Sequence, residues 1–173
     1  NALNNQKTTS LHLATSGGQL KIIKYFVEKQ DADTTALDDL GRTVLHYAAE
    51  KGHLPAIKYL VEEKNADIDA LDNQRATPLY YAVDNGHLSI IKYLAEEQEA
   101  NLDTRDESGG TLLHLAALNG QLEIIKYLVE EKDADINALD GTERTPLHWA
   151  ISNGHLEVVK YLIEEKNADV NAL

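Results

Sequence analysis

One phrase returns five times at a fixed distance, and it constrains the fold more than any other feature of the chain. Thr9-Ser10-Leu11-His12-Leu13-Ala14 comes back as Thr43-Val44-Leu45-His46-Tyr47-Ala48 and then as Thr77-Pro78-Leu79-Tyr80-Tyr81-Ala82. It recurs again as Thr111-Leu112-Leu113-His114-Leu115-Ala116 and Thr145-Pro146-Leu147-His148-Trp149-Ala150, with the threonines 34 residues apart each time. Lys24-Tyr25, Lys58-Tyr59, Lys92-Tyr93, Lys126-Tyr127 and Lys160-Tyr161 keep the same phase. So do Gly18-Gln19, Gly52-His53, Gly86-His87, Gly120-Gln121 and Gly154-His155. A period of this length marks an array of small units that cannot bury their apolar faces alone and must stack.

Each unit reads as two short helices and a loop. The Thr opens the first helix, because its hydroxyl accepts from the exposed amides of the first turn, and Pro78 and Pro146 follow as first-turn prolines do. The Gly of the Gly-His pair stops that helix in a left-handed turn. The second helix carries Leu122, Ile125 and Leu128 on one face. It ends at Asn65, Asp133 or Asn167, residue types that tolerate the left-handed region. The stretch from Ala66 to Asp72 is too short for a helix and reads as a hairpin-like finger.

Composition narrows the function. The 173 residues carry a formal charge of −13, which repels phosphate and argues against nucleic acid and acidic membranes. There is no cysteine, hence no disulfide, zinc–thiolate site or thiol nucleophile. No apolar run reaches the roughly 20 residues a bilayer requires, and no basic-then-apolar leader opens the chain. Methionine is absent even at position 1, so the chain is expected to be a piece of a longer protein.

Thr145-Pro146-Leu147-His148, Gly154-His155-Leu156-Glu157 and Ala168-Asp169-Val170-Asn171-Ala172, with their copies, resemble the ankyrin repeat along essentially the whole chain. The resemblance implies an all-α solenoid of helix-turn-helix units with finger loops, the repeats running over about 4–37, 38–71, 72–105, 106–139 and 140–173. The period exceeds the family's usual 33 by one residue, which falls after the second helix. The family's finger glycine stands at Gly41 and Gly109 but is Lys7, Arg75 and Glu143 elsewhere, and those three fingertips are expected to turn differently because a Cβ disfavours positive φ. Repeat three has Tyr80 where the family has His. Repeat five keeps apolar outer residues, Val158, Val159 and Ile163, where a terminal repeat would be polar.

The seven histidines all fall on family positions that buttress turns, and no two lie three or four apart as a helical metal site needs. No metal or cofactor site and no catalytic constellation is read. Lys58–Glu62 and Lys126–Glu130 sit four apart, a pair worth a few tenths of a kcal/mol. The repeated Glu-Glu forms an acidic edge, which either solvates a long array or offers a landing site to a basic partner. Arg42, Arg75, Arg105 and Arg144 all lie in or beside fingers, where they either serve a partner or pair with Asp38, Asp72, Asp106 and Asp140.

The resemblance further implies a concave binding surface made of variable fingertips and the exposed side of the first helices. Mapped onto this chain it comprises Leu40, Arg42, Lys51, Gln74, Asp84, Asn85, Ser108, Leu118, Asn119, Arg144 and Asn153. Tyr47, Tyr81 and Trp149 precede those helix positions by one turn and share their face, as aromatic anchors or as partial core. The resemblance also marks Asn137 and Asn171 as candidates for asparaginyl hydroxylation.

The expected function is a non-enzymatic module that holds a protein or peptide, with no nucleic acid, membrane insertion or cofactor. The alternatives are a targeting arm of a larger enzyme or effector, and a spacer or self-associating rod. A monomer is expected, with end-to-end association as its variant, in the cytoplasm or in a host cytosol.

Overall fold

A computed structural model of the chain describes residues 7–169. The chain divides into two compact units, Asn1–Asn101 and Leu102–Leu173. The first holds α1 (Ser10–Ser16), α2 (Leu20–Lys29), α3 (Val44–Glu50), α4 (Leu54–Lys58), α5 (Pro78–Asp84) and α6 (Leu88–Lys92). The second holds α7 (Leu112–Leu118), α8 (Leu122–Lys126), α9 (Pro146–Ser152) and α10 (Leu156–Lys160). Each odd-numbered helix pairs with the even-numbered helix that follows it. In the first unit α1, α3 and α5 stack in series, and in the second α7 packs on α9. The helical repeat expected from the phrase spacing is thus present in both.

The first helices start as the sequence requires. Thr9, Thr43, Thr111 and Thr145 cap α1, α3, α7 and α9, and the His of the same turn reaches back to the Thr backbone N–H to complete a capping box. In α5 the Tyr80 ring cannot do this, and Thr77 caps alone by accepting the Tyr80 N–H at 3.1 Å. Each first helix closes with a backbone bond five residues long, as His53 N to Ala48 O at 2.9 Å, with Gly52 in the left-handed region.

The second helices close differently. Ala66 N bonds Leu60 O, and Ala32, Ala100, Ala134 and Ala168 repeat that bond to Phe26, Leu94, Leu128 and Leu162, each spanning six residues. In α4, α6, α8 and α10 the helix widens into a π turn over Tyr59–Glu63, Tyr93–Glu97, Tyr127–Glu131 and Tyr161–Glu165. In these four repeats the thirty-fourth residue is taken up inside the last turn rather than after it, while α2 closes on the same six-residue bond without a π turn. A widened turn is the usual way a helix absorbs a single insertion. Asp31, Asn65, Glu99, Asp133 and Asn167 follow with φ between 47° and 55°, as expected for Asn65, Asp133 and Asn167.

The core is aliphatic. Ile23, Leu45, Ile57, Leu60, Leu79 and Ile91 are fully buried in the first unit, and Leu113, Ile125, Leu128 and Leu162 in the second. Each such side chain contributes about 1.5–3 kcal/mol relative to exposure.

The fingers contain no strand among the described residues, and Arg105 and Thr111 form an isolated bridge. They are nonetheless hairpin-shaped: Asp38 N bonds Arg42 O at 3.1 Å, and Asp72, Asp106 and Asp140 do the same to Ala76, Gly110 and Arg144. Lys7, Arg75 and Glu143 do not turn differently from the glycines. Their φ values of 53°, 64° and 63° fall in the same left-handed region as Gly41 and Gly109 at 76° and 78°. The leading Asp accounts for this at Arg75 and Glu143. Asp72 Oδ1 accepts the Gln74 and Ala76 N–H groups at 2.9 Å, and Asp140 Oδ1 accepts those of Thr142 and Arg144. These bonds fix the turn from outside, and together they outweigh the roughly 1–2 kcal/mol that a Cβ costs there.

Candidate functional site

The fingers and first helices are tied together by a device repeated in both units. Asp38 Oδ2 accepts the Tyr47 hydroxyl at 2.8 Å, Asp72 Oδ2 accepts Tyr81 at 2.8 Å, and Asp140 Oδ2 accepts Trp149 Nε1 at 2.9 Å. Each aromatic ring then meets edge-on the His of the preceding repeat: Tyr47 on His12 at 5.1 Å, Tyr81 on His46 at 5.6 Å and Trp149 on His114 at 5.5 Å. The histidines complete the link. Nδ1 takes the Thr cap, and Nε2 donates across to the next finger, from His12 to Arg42 O, His46 to Ala76 O and His114 to Arg144 O.

Burial holds His12, His46 and His114 below the ordinary imidazole range, although the carbonyl each one faces pulls partly the other way. Burial also raises Asp38 and Asp140, but the hydrogen bonds they receive win, and both lie below the usual carboxylate range.

Arg42 belongs to this device. Its Nε reaches Asp38 Oδ2 at 2.9 Å, Nη1 reaches Glu50 at 3.2 Å and Nη2 reaches the Tyr47 hydroxyl at 2.8 Å. Only 18% of its side chain is exposed, so local pairing is the role the geometry gives it. Arg144 pairs with Asp140 at 3.1 Å and lies over Trp149, yet half of it faces solvent. Arg105 bridges Gly109 O and Leu139 O at 2.7 and 2.8 Å. Arg75 is exposed and has no side-chain partner among the described residues.

The remaining candidates lie outward. In the first unit Leu40, Lys51, Gln74, Asp84 and Asn85 are exposed, with Lys51 paired to Glu50 and Asn85 Nδ2 donating to Tyr81 O at 3.0 Å. In the second, Ser108, Asn119 and Asn153 are exposed and Leu118 is half-buried, its carbonyl accepting from His155 at 2.7 Å. Asn153 Nδ2 bonds Trp149 O at 2.9 Å as Asn85 bonds Tyr81. Neighbouring fingertips join through Asn73 N to Leu40 O and Gly141 N to Ser108 O. Asn137 is exposed, and its Oδ1 accepts from Asp169 N at 3.2 Å. Asn171 lies outside the described residues.

The second helices carry a seam that the reading by residue type missed. Tyr59, Tyr93 and Tyr161 donate their hydroxyls to Glu28, Glu62 and Glu130 of the preceding repeat at 3.0–3.2 Å. Lys24, Lys58 and Lys126 of the preceding repeat lie over the same rings, as do Lys64 on Tyr59 and Lys166 on Tyr161. Such cation–ring contacts are worth about 0.5–1 kcal/mol where exposed. Burial and the facing Glu28 push Tyr59 up to about 12.

The expected Lys58–Glu62 and Lys126–Glu130 pairs do not form among the described contacts. Lys58 reaches Glu97 at 3.7 Å and Lys126 reaches Glu123 at 3.8 Å. In both, the lysine lies over the next repeat's tyrosine ring and the glutamate accepts that tyrosine's hydroxyl, as Lys24 and Glu28 of α2 do with Tyr59. The acidic edge is therefore partly an inter-repeat bond. The sequence signal for it was the fixed Lys-Tyr-x-x-Glu phase.

A model of the family described as ankyrin repeats, three copies, matches residues 11–106 and again 98–173. Comparison with curated proteins finds no match. No helix among the described residues is long and apolar enough to cross a membrane.

Proposed function

Because the chain belongs to the ankyrin repeat family, whose members are generally protein–protein interaction modules, we propose that it binds a protein or peptide on its fingertips and the exposed side of its first helices. One observation carries this reading. Buried and hydrogen-bonded positions repeat, whereas exposed positions of equivalent register differ. Leu40, Gln74, Ser108 and Thr142 occupy one exposed fingertip position and Asp39, Asn73, Glu107 and Gly141 another, and on the first helices exposed Asp84 and Ser152 share one. A surface exposed in every copy but chemically different from copy to copy provides specificity at little cost to the fold.

The device beneath supplies the rigidity. Tyr47, Tyr81, Trp149 and Arg42 hold the fingers in place, so little ordering entropy is lost on binding. Tyr47, Tyr81 and Trp149, bonded in this way, act as positioning residues and are half-buried. The absence of cysteine suits a reducing cytosol.

Two surface variants test the reading. One carries Leu40→Glu, Lys51→Glu and Asp84→Lys, and the other Ser108→Arg, Asn119→Arg and Asn153→Arg. All six residues are exposed, so circular dichroism should show both variants folded. A partner captured by the parent chain is expected to be lost by one variant or both. Equal capture by parent and both variants refutes the proposed face.

A further inference from the structure

Asn85-Gly86, Asn119-Gly120 and Asn153-Gly154 stand where the first helix of a repeat ends. Asn is a chemically labile residue, and a following Gly exposes it most, because a residue without a Cβ leaves its backbone nitrogen open to the neighbouring side chain. The Gly nitrogen attacks the Asn Cγ, and the new N–C bond closes a cyclic imide. The side-chain nitrogen takes up the proton that the Gly N–H gives up and leaves as ammonia. Water then opens the ring at one carbonyl or the other, leaving Asp or isoaspartate. The reaction needs no oxidant, metal or second protein.

The fold decides when this happens. Asn85 and Asn119 are exposed, with ψ of 6° and 1°. That torsion eclipses the Gly nitrogen with the Asn's own backbone nitrogen and turns it away from Cγ. Ring closure therefore requires the Asn–Gly peptide to swing round. The swing breaks the bonds that end the helix, Gly86 N to Val83 O at 3.0 Å and Gly120 N to Ala117 O at 3.3 Å. Short exposed helix ends open locally at small cost.

At Gly120 a second restraint acts. Its φ is 67°, and the His155 ring lies so close that a Cβ there would come within 2.5 Å of Nδ1. Nε2 of the same ring donates to Leu118 O at 2.7 Å. His155 thus grips the peptide before Asn119 and fills the space beside the residue after it. Close packing leaves Gly120 no room to swing until the ring withdraws.

We propose that Asn119-Gly120 is a latched self-modification site: His155 keeps the amide intact in the folded chain, and its withdrawal lets Gly120 convert Asn119 to Asp or isoaspartate. The product writes a negative charge onto the face proposed above to bind a partner, and only this consequence rests on that reading. The isoaspartyl form also adds an atom to the main chain between α7 and α8.

Peptide mapping by mass spectrometry, on the parent chain aged in mildly alkaline buffer with and without urea, follows the exchange of NH for O at each Asn. In urea Asn85, Asn119 and Asn153 should change well ahead of Asn65, Asn73, Asn101 and Asn137, which precede larger residues. In native buffer Asn119 should be many-fold slower than in urea. His155→Ala should speed Asn119 several-fold in native buffer, leave its rate in urea unchanged, and leave Asn85, in the other unit, at its parent rate. Amide exchange at buried Ala116 and Ile125 reports opening of the whole unit and should rise less than the Asn119 rate. Asn119 changing no faster than Asn137 in urea overturns the proposal, as does an equal rate in urea and native buffer. So does an Asn119 unaffected by His155→Ala, or sped only in step with Ala116 and Ile125. An Asn119 slowed by His155→Ala also overturns it, since His155 would then serve as a base for the Gly120 N–H.

Discussion

Fingers four and five make the same turn by opposite means. Finger five is built around a carboxylate. Asp140, almost fully buried, accepts from the Thr142 N–H and hydroxyl and the Arg144 N–H on one oxygen, and from Arg144 Nε and Trp149 Nε1 on the other. It forces Glu143 into a left-handed conformation that a Cβ resists. Finger four has Gly109 at that position, Gly110 in place of Arg144 and Leu115 in place of Trp149. Asp106 Oδ1 still takes the Ser108 and Gly110 N–H groups at 2.9 Å, but Leu115 has no proton to donate. One finger is held by side chains against backbone preference, and the other needs less holding because glycine accepts the turn. A motif glycine can therefore be lost wherever a charged hub with enough donors replaces it.

The sharpest way to break this contrast is to remove the hub. Asp140→Ala should cost about 3 kcal/mol, since it strands the Trp149 and Arg144 donors and releases a disfavoured turn. Asp106→Ala should cost about 1 kcal/mol. Urea unfolding of the two variants measures the difference, and equal losses would sink the distinction. Gly109→Ala comes next, at about 2 kcal/mol. It meets the φ penalty, and its Cβ would also come within 2.8 Å of Gly141 N.

Acidification should sharpen the contrast further. His12, His46 and His114 titrate below the ordinary imidazole pKa when folded, so the unfolded chain binds more protons and stability falls as pH drops below about 6.5. Asp38 and Asp140 are likewise depressed; their contribution is complete above about pH 4 and is lost as pH falls further. Midpoints followed by circular dichroism in about 0.5 M salt, which screens the −13 self-repulsion, should show both losses. The Asp140→Ala variant should lack much of the second. The smallest effect has the opposite sign. Glu143→Gly should stabilise the chain by at most about 1 kcal/mol, visible as a raised unfolding midpoint, because the hub no longer works against a Cβ.

The helices were legible because their signals are local. Thr9 or Thr145 before an apolar turn and Gly52 or Gly120 after it specify start and stop without reference to any neighbour. The fingers were only half legible. That Lys7, Arg75 and Glu143 follow the glycine path depends on what surrounds the turn, and at Arg75 and Glu143 the two N–H bonds of the leading Asp are not a property of the fingertip residue itself. Arg42 was placed correctly beside Asp38, but its saturation by Asp38, Glu50 and Tyr47 depends on a helix start and a finger meeting in space. The pairing of Tyr93 with Glu62 and Lys58 crosses from one repeat to the next, at a separation that a search for i, i+4 partners does not reach. The widened last turn was visible only as a surplus residue, and its place was read as after the second helix because nothing in the residue types marks a π turn.

That widened turn decides what can be exchanged for what. One residue is about 100° of helix rotation, enough to swing a tyrosine or glutamate off the seam. Segments cut and rejoined at multiples of 34 residues keep the Tyr, Glu and Lys of the seam in register, with Lys29 of repeat one out of pattern where the other copies have Glu. A unit of the ordinary 33-residue length spliced between them would bring matching helices but a second-helix surface out of step on both sides. Recombination among the copies of this chain therefore preserves the seam's register, and recombination with the wider family does not. For grafting or shuffling, the interchangeable part is this protein's own longer unit.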